Sequence, residues 1–269
     1  MKAGPAMARI ALLCASLALL SSCERPAPPD PRVTAFASLP KWDGYWSLAT
    51  MRPEIYGFDA KLLSGGNVAG PKMLEFLGKT YPLAGVGAPW NDVTRAKFFA
   101  VLGSMASRKS DGWGYPMMMA GAAPMQFLVT PEETLIVNIY REVRHIYTDG
   151  RPLVPEADRW VTTWGESIGH WEGDTLVIET VGVRYPPDAF QLAPPLSEKA
   201  RYVERIRRTG ADTMESDVTI EDPETLTGPW HAKVSYVREK QLDRLVHDVF
   251  TNDRSELSGN DFTIEPPKK

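Results

Sequence analysis

Cysteine is nearly missing from this chain. Cys14 and Cys23 are the only two in 269 residues, and none follows position 23. Everything beyond that point therefore lacks a disulfide, a zinc–thiolate centre and a cysteine nucleophile, and its fold must be held by a packed core. A basic excess is missing too: 30 Lys and Arg face 34 Asp and Glu, for a net charge of −4. That balance excludes the clustered cationic footprint of a nucleic-acid binder. The one basic cluster, Arg201, Arg205, Arg207 and Arg208, is interleaved with Glu198 and Glu204 and reads as a solvated strand face.

Familiar catalytic strings are absent as well. No Gly-x-Ser-x-Gly elbow occurs; the similar Trp164-Gly165-Glu166-Ser167 has no second glycine in place. The four histidines, His145, His170, His231 and His247, have no metal-site spacing, so no metal is expected. Ser64-Gly65-Gly66 lacks the lysine and helix of a phosphate loop, and no cofactor is expected. Met117-Met118-Met119 has no neighbouring His or Cys and reads as a flexible apolar patch rather than a copper site. An enzyme built from what remains is restricted to acid–base chemistry.

The longest apolar run, Ile10 to Leu20, is about half of the ~20 residues a spanning helix needs. Preceded by Lys2 and Arg9 and followed by small residues, it has the secretory pattern. Leu20-Ser21-Ser22-Cys23 resembles the lipobox of bacterial lipoproteins. The resemblance implies a signal peptide over 1–22, cleavage before Cys23 and a lipid on that cysteine. The membrane is then the expected partner, reached through Cys23. Residues 23–35 are Pro-rich and read as an extended tether. Glu24 is not the aspartate of inner-membrane retention, so the expected location is the cell envelope, facing the periplasm, at the outer membrane rather than the inner. The 247 residues after the leader suffice for one domain with a sizeable core.

Residues 36–124 are rich in Gly, Pro and Met and read as an irregular, partly helical extension packed on the domain that follows. Asn91-Asp92 caps an expected helix whose stripe is Val93, Ala96, Phe99 and Ala100, running to about Ser107; a second covers Lys72 to Leu77. From Met125 the pattern changes to strand–turn–strand. Strands are expected at Met125–Thr130, Thr134–Tyr140, Val143–Thr148, Glu166–Trp171, Thr175–Val183, Tyr202–Arg208, Met214–Ile220, Ala232–Arg238 and Leu245–Phe250. The fold class is mostly β: an antiparallel meander over 125–255, closing into a lipocalin- or calycin-like barrel, with a flexible tail over 256–269. Asp43-Gly44-Tyr45-Trp46 offers one more strand at the start. Eight Trp, nine Tyr and nine Phe fit β-cores and also pockets for flat or oily ligands.

Several segments resemble a widespread family of secreted bacterial proteins. They are Pro124-Met125-Gln126-Phe127-Leu128-Val129-Thr130-Pro131, Val143 to Arg151, Ser167-Ile168-Gly169-His170-Trp171-Glu172-Gly173-Asp174-Thr175-Leu176-Val177, Val203-Glu204-Arg205 and Asp217 to Pro223. They fall within one stretch from residue 124 to about 229, roughly two-fifths of the chain. The resemblance implies an extracytoplasmic β-rich domain and carries no settled activity. Polar positions expected after Gly150-Arg151 and after Val181-Gly182 are here Leu153 and Val183. If those positions serve chemistry, this member has altered it.

The hairpin around Gly173-Asp174 fixes which side chains share a face. Gly169, Trp171, Leu176, Ile178 and Thr180 lie on one; Ile168, His170, Val177, Glu179 and Val181 lie on the other. His170 and Glu179 become diagonal neighbours, a general-base arrangement if their face is interior and a surface pair if it is not. Glu166 is a second candidate acid, and with Trp164 it forms the lip of a pocket. Trp171, Tyr147 and Arg144 complete the candidate ligand contacts. Arg144 and Tyr147 fall on opposite strand faces, and an inward Arg144 would anchor an anion. Three readings follow: a lipid-tethered barrel holding a hydrophobic or aromatic small molecule; an acid–base lyase, isomerase or hydrolase using His170 with Glu179 or Glu166; and a structural envelope protein with a filled core.

Overall fold

The computed structural model describes residues 30–51, 71–103, 114–121, 123–184, 194–245, 255–258 and 261–264. Residues 1–38 and 39–269 separate as two units. In the first, Pro31–Ser38 forms helix α1 with no buried residue. This corrects the extended tether at its C-terminal end. Asp30 Oδ1 accepts the Arg32 N–H at 2.8 Å, a side-chain cap, and Pro31 presets the first helical φ. Cys23 and the leader lie outside the described residues.

The second unit is built on a closed barrel of nine strands. They are β1 Tyr45–Leu48, β2 Met125–Val129, β3 Glu133–Asn138, β4 Val143–Tyr147, β5 Glu166–Glu172, β6 Thr175–Val181, β7 Arg201–Arg208, β8 Thr213–Glu221 and β9 Trp230–Arg238. Closure runs through β1, which pairs with β9 at Trp46↔Arg238, Ser47↔Val237 and Leu48↔Tyr236. The mostly β, closed-barrel expectation holds, with two differences. The ninth strand is β1, where Asp43-Gly44-Tyr45-Trp46 offered one, and not Leu245–Phe250; Leu245 forms no strand, and 246–250 lie outside the described residues. The ring is also not antiparallel throughout, because β4 and β5 run parallel. Strand directions that alternate around a closed ring need an even number of strands, so nine strands force one parallel step. Count and step both set the barrel apart from the eight-stranded, up-and-down plan of lipocalins.

A parallel pair needs a crossover in place of a hairpin. Residues 148–165 supply it, with a single 3₁₀ turn at Glu156–Asp158. Thr162 fastens its end to the chain just past β6: its N–H donates to Gly182 O at 3.1 Å, and its carbonyl accepts the Arg184 N–H at 2.8 Å. Gly165 then turns the chain into β5 at φ +66°, where a Cβ would sit 2.5 Å from Val181 O. Only glycine fits that entry.

Alternation decides the interior. In β3 and β8 every second residue is buried. The core joins Trp46, Ile136, Ile146, Ile178, Tyr202, Met214 and Val234. Into it packs helix α4, Met117–Ala120, every residue of which is buried. Tyr236 donates its hydroxyl to Met119 O at 2.8 Å, so the three methionines are fixed core rather than a flexible patch.

Two longer helices precede α4 in sequence: α2, Pro71–Thr80, and α3, Asp92–Gly103. Asn91 caps α3 as expected, its Oδ1 accepting the Thr94 N–H at 2.9 Å. The buried face differs from the expected stripe: Val93 is 67% exposed, while Thr94 and Phe98 are buried. Trp90 decides this, its ring packed at a tilt against Phe98, centroids 5.8 Å apart, and against Trp230 of β9 at 5.9 Å. Among the described residues no helix is long and apolar enough to cross a membrane. Where a flexible tail was expected, β10 (Ser255–Ser258) and β11 (Asp261–Ile264) pair as a hairpin.

Candidate functional site

The barrel wall is weakest at its parallel step. Neighbouring antiparallel strands there share up to eight register pairs, but β4 and β5 share one, Tyr147↔Ile168. Along this seam lies a cleft of about 430 Å³. Val143, Arg144 and Tyr147 of β4, Val154, Trp160 and Trp164 of the crossover, and Glu166 and Ser167 of β5 are among its lining. Trp160 is 85% exposed. Glu166 accepts the Val154 N–H at 2.9 Å and so pins the crossover to the start of β5. At the other rim Arg151 lies over the Tyr147 ring, 3.9 Å from its centre, while Asp149 takes its Nη2 at 2.6 Å. Their mutual bond holds the Asp149 carboxyl below its ordinary range and raises Arg151.

Behind the cleft the seam is joined by a side chain. Arg144 points inward and is 1% exposed. Its Nη2 reaches Thr180 Oγ1 of β6 at 2.9 Å and Glu204 Oε2 of β7 at 2.5 Å. Its Nε and Nη2 both lie 3.4 Å from Ser167 Oγ of β5, which is itself 2.8 Å from Thr180 Oγ1. The guanidinium stacks 4.0 Å from the centre of the Tyr115 ring, and Tyr115 meets Tyr202 edge-on at 4.9 Å. One residue of β4 thus ties together three strands on the far side of the seam.

Burial opposes the charge on Arg144, and the neighbouring Glu204 carboxylate outweighs it, leaving the guanidinium more basic than usual. Burial first, then the Glu204 charge, raises Tyr115 and Tyr236 well above their ordinary range. Burial with Asp222 raises Tyr202. Arg144 Nη1, Tyr202 Oη and Ser216 Oγ are buried here without a protein hydrogen bond, while the Glu204 carboxylate also has the Tyr115 hydroxyl as a hydrogen-bonding neighbour. Register keeps them close. Tyr202 is two residues before Glu204 on one face of β7, and Ser216 is two residues from Val218, which faces Glu204 across β8.

Four of the seven candidate ligand or catalytic residues, Arg144, Tyr147, Trp164 and Glu166, line the seam cleft together. Arg144 and Tyr147 do lie on opposite faces of β4, but the open seam lets an inward and an outward side chain border one cleft. The other three lie elsewhere. Trp171 faces inward and meets Trp42 edge-on at 5.0 Å. His170 faces outward, 66% exposed, with Nε2 3.2 Å from Glu172 Oε1. Glu179 also faces outward and accepts from Arg201 Nε at 2.7 Å. The diagonal His170–Glu179 dyad is therefore replaced by two separate surface ion pairs, and the interior face is the one bearing Trp171, Leu176, Ile178 and Thr180.

Glu204 was the residue sequence reasoning misplaced. Arg201 and Arg205 do form a solvated face, bonding Glu179 and Glu172, but Glu204 alternates with them and is fully buried. Its signal was available: on a period of two it shares a face with Tyr202 and Ile206. Among the described residues no group of three or more His, Cys, Asp and Glu could hold a metal ion. No family model matches the chain, and no curated protein matches it.

Proposed function

We propose that this chain is a lipid-tethered, extracytoplasmic binding module that takes a hydrophobic, aromatic small molecule in the cleft at the β4–β5 seam. The observation that carries this reading is the placement of Trp160, Trp164 and Tyr147 around one cleft beside a break in the backbone ladder. A tryptophan left 85% exposed costs solvation that a bound flat ring would recover. Glu166 and Asp158 add acceptors at the rim that orient a ligand carrying a donor. The tether rests on the leader and on Cys23, and with them goes the envelope location at the outer membrane. The cleft differs from a central barrel cavity: the interior is occupied by α4 and the core tyrosines, and the ligand is met at the wall.

Isothermal titration of the chain lacking residues 1–22 with 2-naphthol tests the reading. Trp160→Ala is expected to weaken binding about tenfold, the scale of a lost aromatic anchor. Because the side chain is so exposed, the melting temperature should not move. Naphthol that binds wild type and Trp160→Ala with one affinity would refute the seam as the site.

A further inference from the structure

The charge a cleft selects is set by the groups in its wall that lack a partner of opposite sign. Four side chains bordering the seam cleft can be charged near neutral pH: Arg144, His145, Asp158 and Glu166. Arg144 is cancelled by Glu204 at 2.5 Å behind the wall, and His145 Nδ1 lies 3.1 Å from Glu133 Oε2. Asp158 and Glu166 have no ion pair among the described residues. Glu166 is half-buried, and its hydrogen bond is to the neutral Val154 N–H at 2.9 Å. Cations close by in sequence are taken: Arg151 is held by Asp149, and Arg159 borders a separate cleft with Glu156 and Lys199. The seam cleft is therefore walled by two carboxylates without a counter-charge.

The aromatic part of the wall selects the same sign. Trp160 is 85% exposed, and Trp164 keeps its Nε1 buried, so the side chain of Trp164 offers the cleft carbon and no donor. The face of an indole is negative and attracts a cation. An anionic guest would be repelled by rings and carboxylates alike, and a neutral one would leave Glu166 half-buried without a counter-charge. A cation is attracted by both. We infer that the ligand of the seam cleft is an aromatic ammonium, its ring against Trp160 and Trp164 and its charge toward Asp158 and Glu166. This rests on the binding reading above and names the ligand class it leaves open. A cleft of about 430 Å³ admits two fused rings with a short ammonium arm.

Three probes on one naphthalene frame test it, titrated calorimetrically into the chain lacking residues 1–22: (2-naphthylmethyl)trimethylammonium, 2-naphthol and 2-naphthoate. The ammonium is expected to bind about tenfold more tightly than naphthol, and naphthoate about tenfold more weakly. A quaternary head donates no N–H hydrogen bond, so its advantage reads charge, and it should shrink in about 0.5 M sodium chloride while naphthol binding holds. In Asp158→Asn/Glu166→Gln, which keeps an acceptor for the Val154 N–H, ammonium and naphthol should bind alike. If the three probes bind wild type with one affinity while Trp160→Ala weakens all of them, the cation inference falls and the cleft reading survives. An ammonium preference that persists in the double variant also overturns the inference, because the charge is then read elsewhere. If none of the three binds, both readings fall. The wild-type series and its salt dependence decide the question even if the double variant does not fold.

Discussion

Replacing Glu204 by Gln should be among the most damaging single changes this domain can take. The carboxylate lies 2.5 Å from Arg144, and both side chains are 1% exposed. Glutamine keeps the shape and an acceptor but removes the charge, stranding a guanidinium that is 1% exposed. Removing one partner of a buried pair costs about 3–5 kcal/mol, against a total stability of about 5–15 kcal/mol for a domain. For a domain of this size the melting temperature should fall by roughly 6–20 °C. Arg144→Met/Glu204→Leu removes both charges at similar volume and should cost far less than Glu204→Gln, because the pair's own desolvation penalty disappears with it. Urea unfolding followed by far-UV circular dichroism at neutral pH gives both values, and their difference measures the coupling. The reasoning is refuted if Glu204→Gln costs under about 1 kcal/mol, or if the double variant is as weak as the single one.

High pH should unfold the domain abruptly. Tyr115, Tyr202 and Tyr236 are all raised above the ordinary value of 10.0. Their contribution is therefore fully present below that pH, where they are neutral in both states. It drains away above it, because the unfolded chain ionises while the native core does not. Each contributes a slope of about 1.4 kcal/mol per pH unit, so tyrosinate absorbance and loss of circular dichroism should rise together. Phe at any one of the three should move the transition to higher pH. Gly165→Ala places a Cβ 2.5 Å from Val181 O at φ +66°, and should cost about 2–4 kcal/mol by thermal melting. Gly150→Ala also pays for its φ of +85° but meets no atom, so it should cost less. Cys23→Ser in the full chain should move the protein from the membrane fraction to the soluble one; retention in the membrane would refute lipid attachment there.

Many strands could be read from the sequence because one buried face leaves a period of two, as in the alternating run from Met214 to Ile220; β3 inverts the pattern, burying Thr134, Ile136 and Asn138 while Leu135 and Val137 stay half-exposed. β1 could not be read the same way. Four residues hold two periods at most, and three of these four are buried whichever way they point. The parallel step was illegible for a different reason. No residue encodes it; it follows from closing a ring of nine, a property of the whole chain. The face of the β5–β6 hairpin was ambiguous because both faces carry aliphatics: Ile168 and Val177 outside, Leu176 and Ile178 inside. That ambiguity placed His170 and Glu179 as a possible dyad. Glu204 shows the opposite case, a charge at a position whose neighbours on the same face are apolar, where the pattern was present and the charge obscured it.

The pairing of β1 with β9 also has a consequence in time. Trp46 and Arg238 are separated by roughly 190 residues, so joining them carries about 3 kcal/mol more closure entropy than a five-residue hairpin. The run from β5 to β9 can assemble from hairpins as it emerges, but the ring cannot shut until its last strand is available. Until then β1 has only two register partners, both on β2, and β8 presents an unpaired edge. Chain shortened before residue 230 should therefore accumulate as aggregating sheet. In the intact protein, arrival of β9 is the slow event that converts an open ribbon into a barrel.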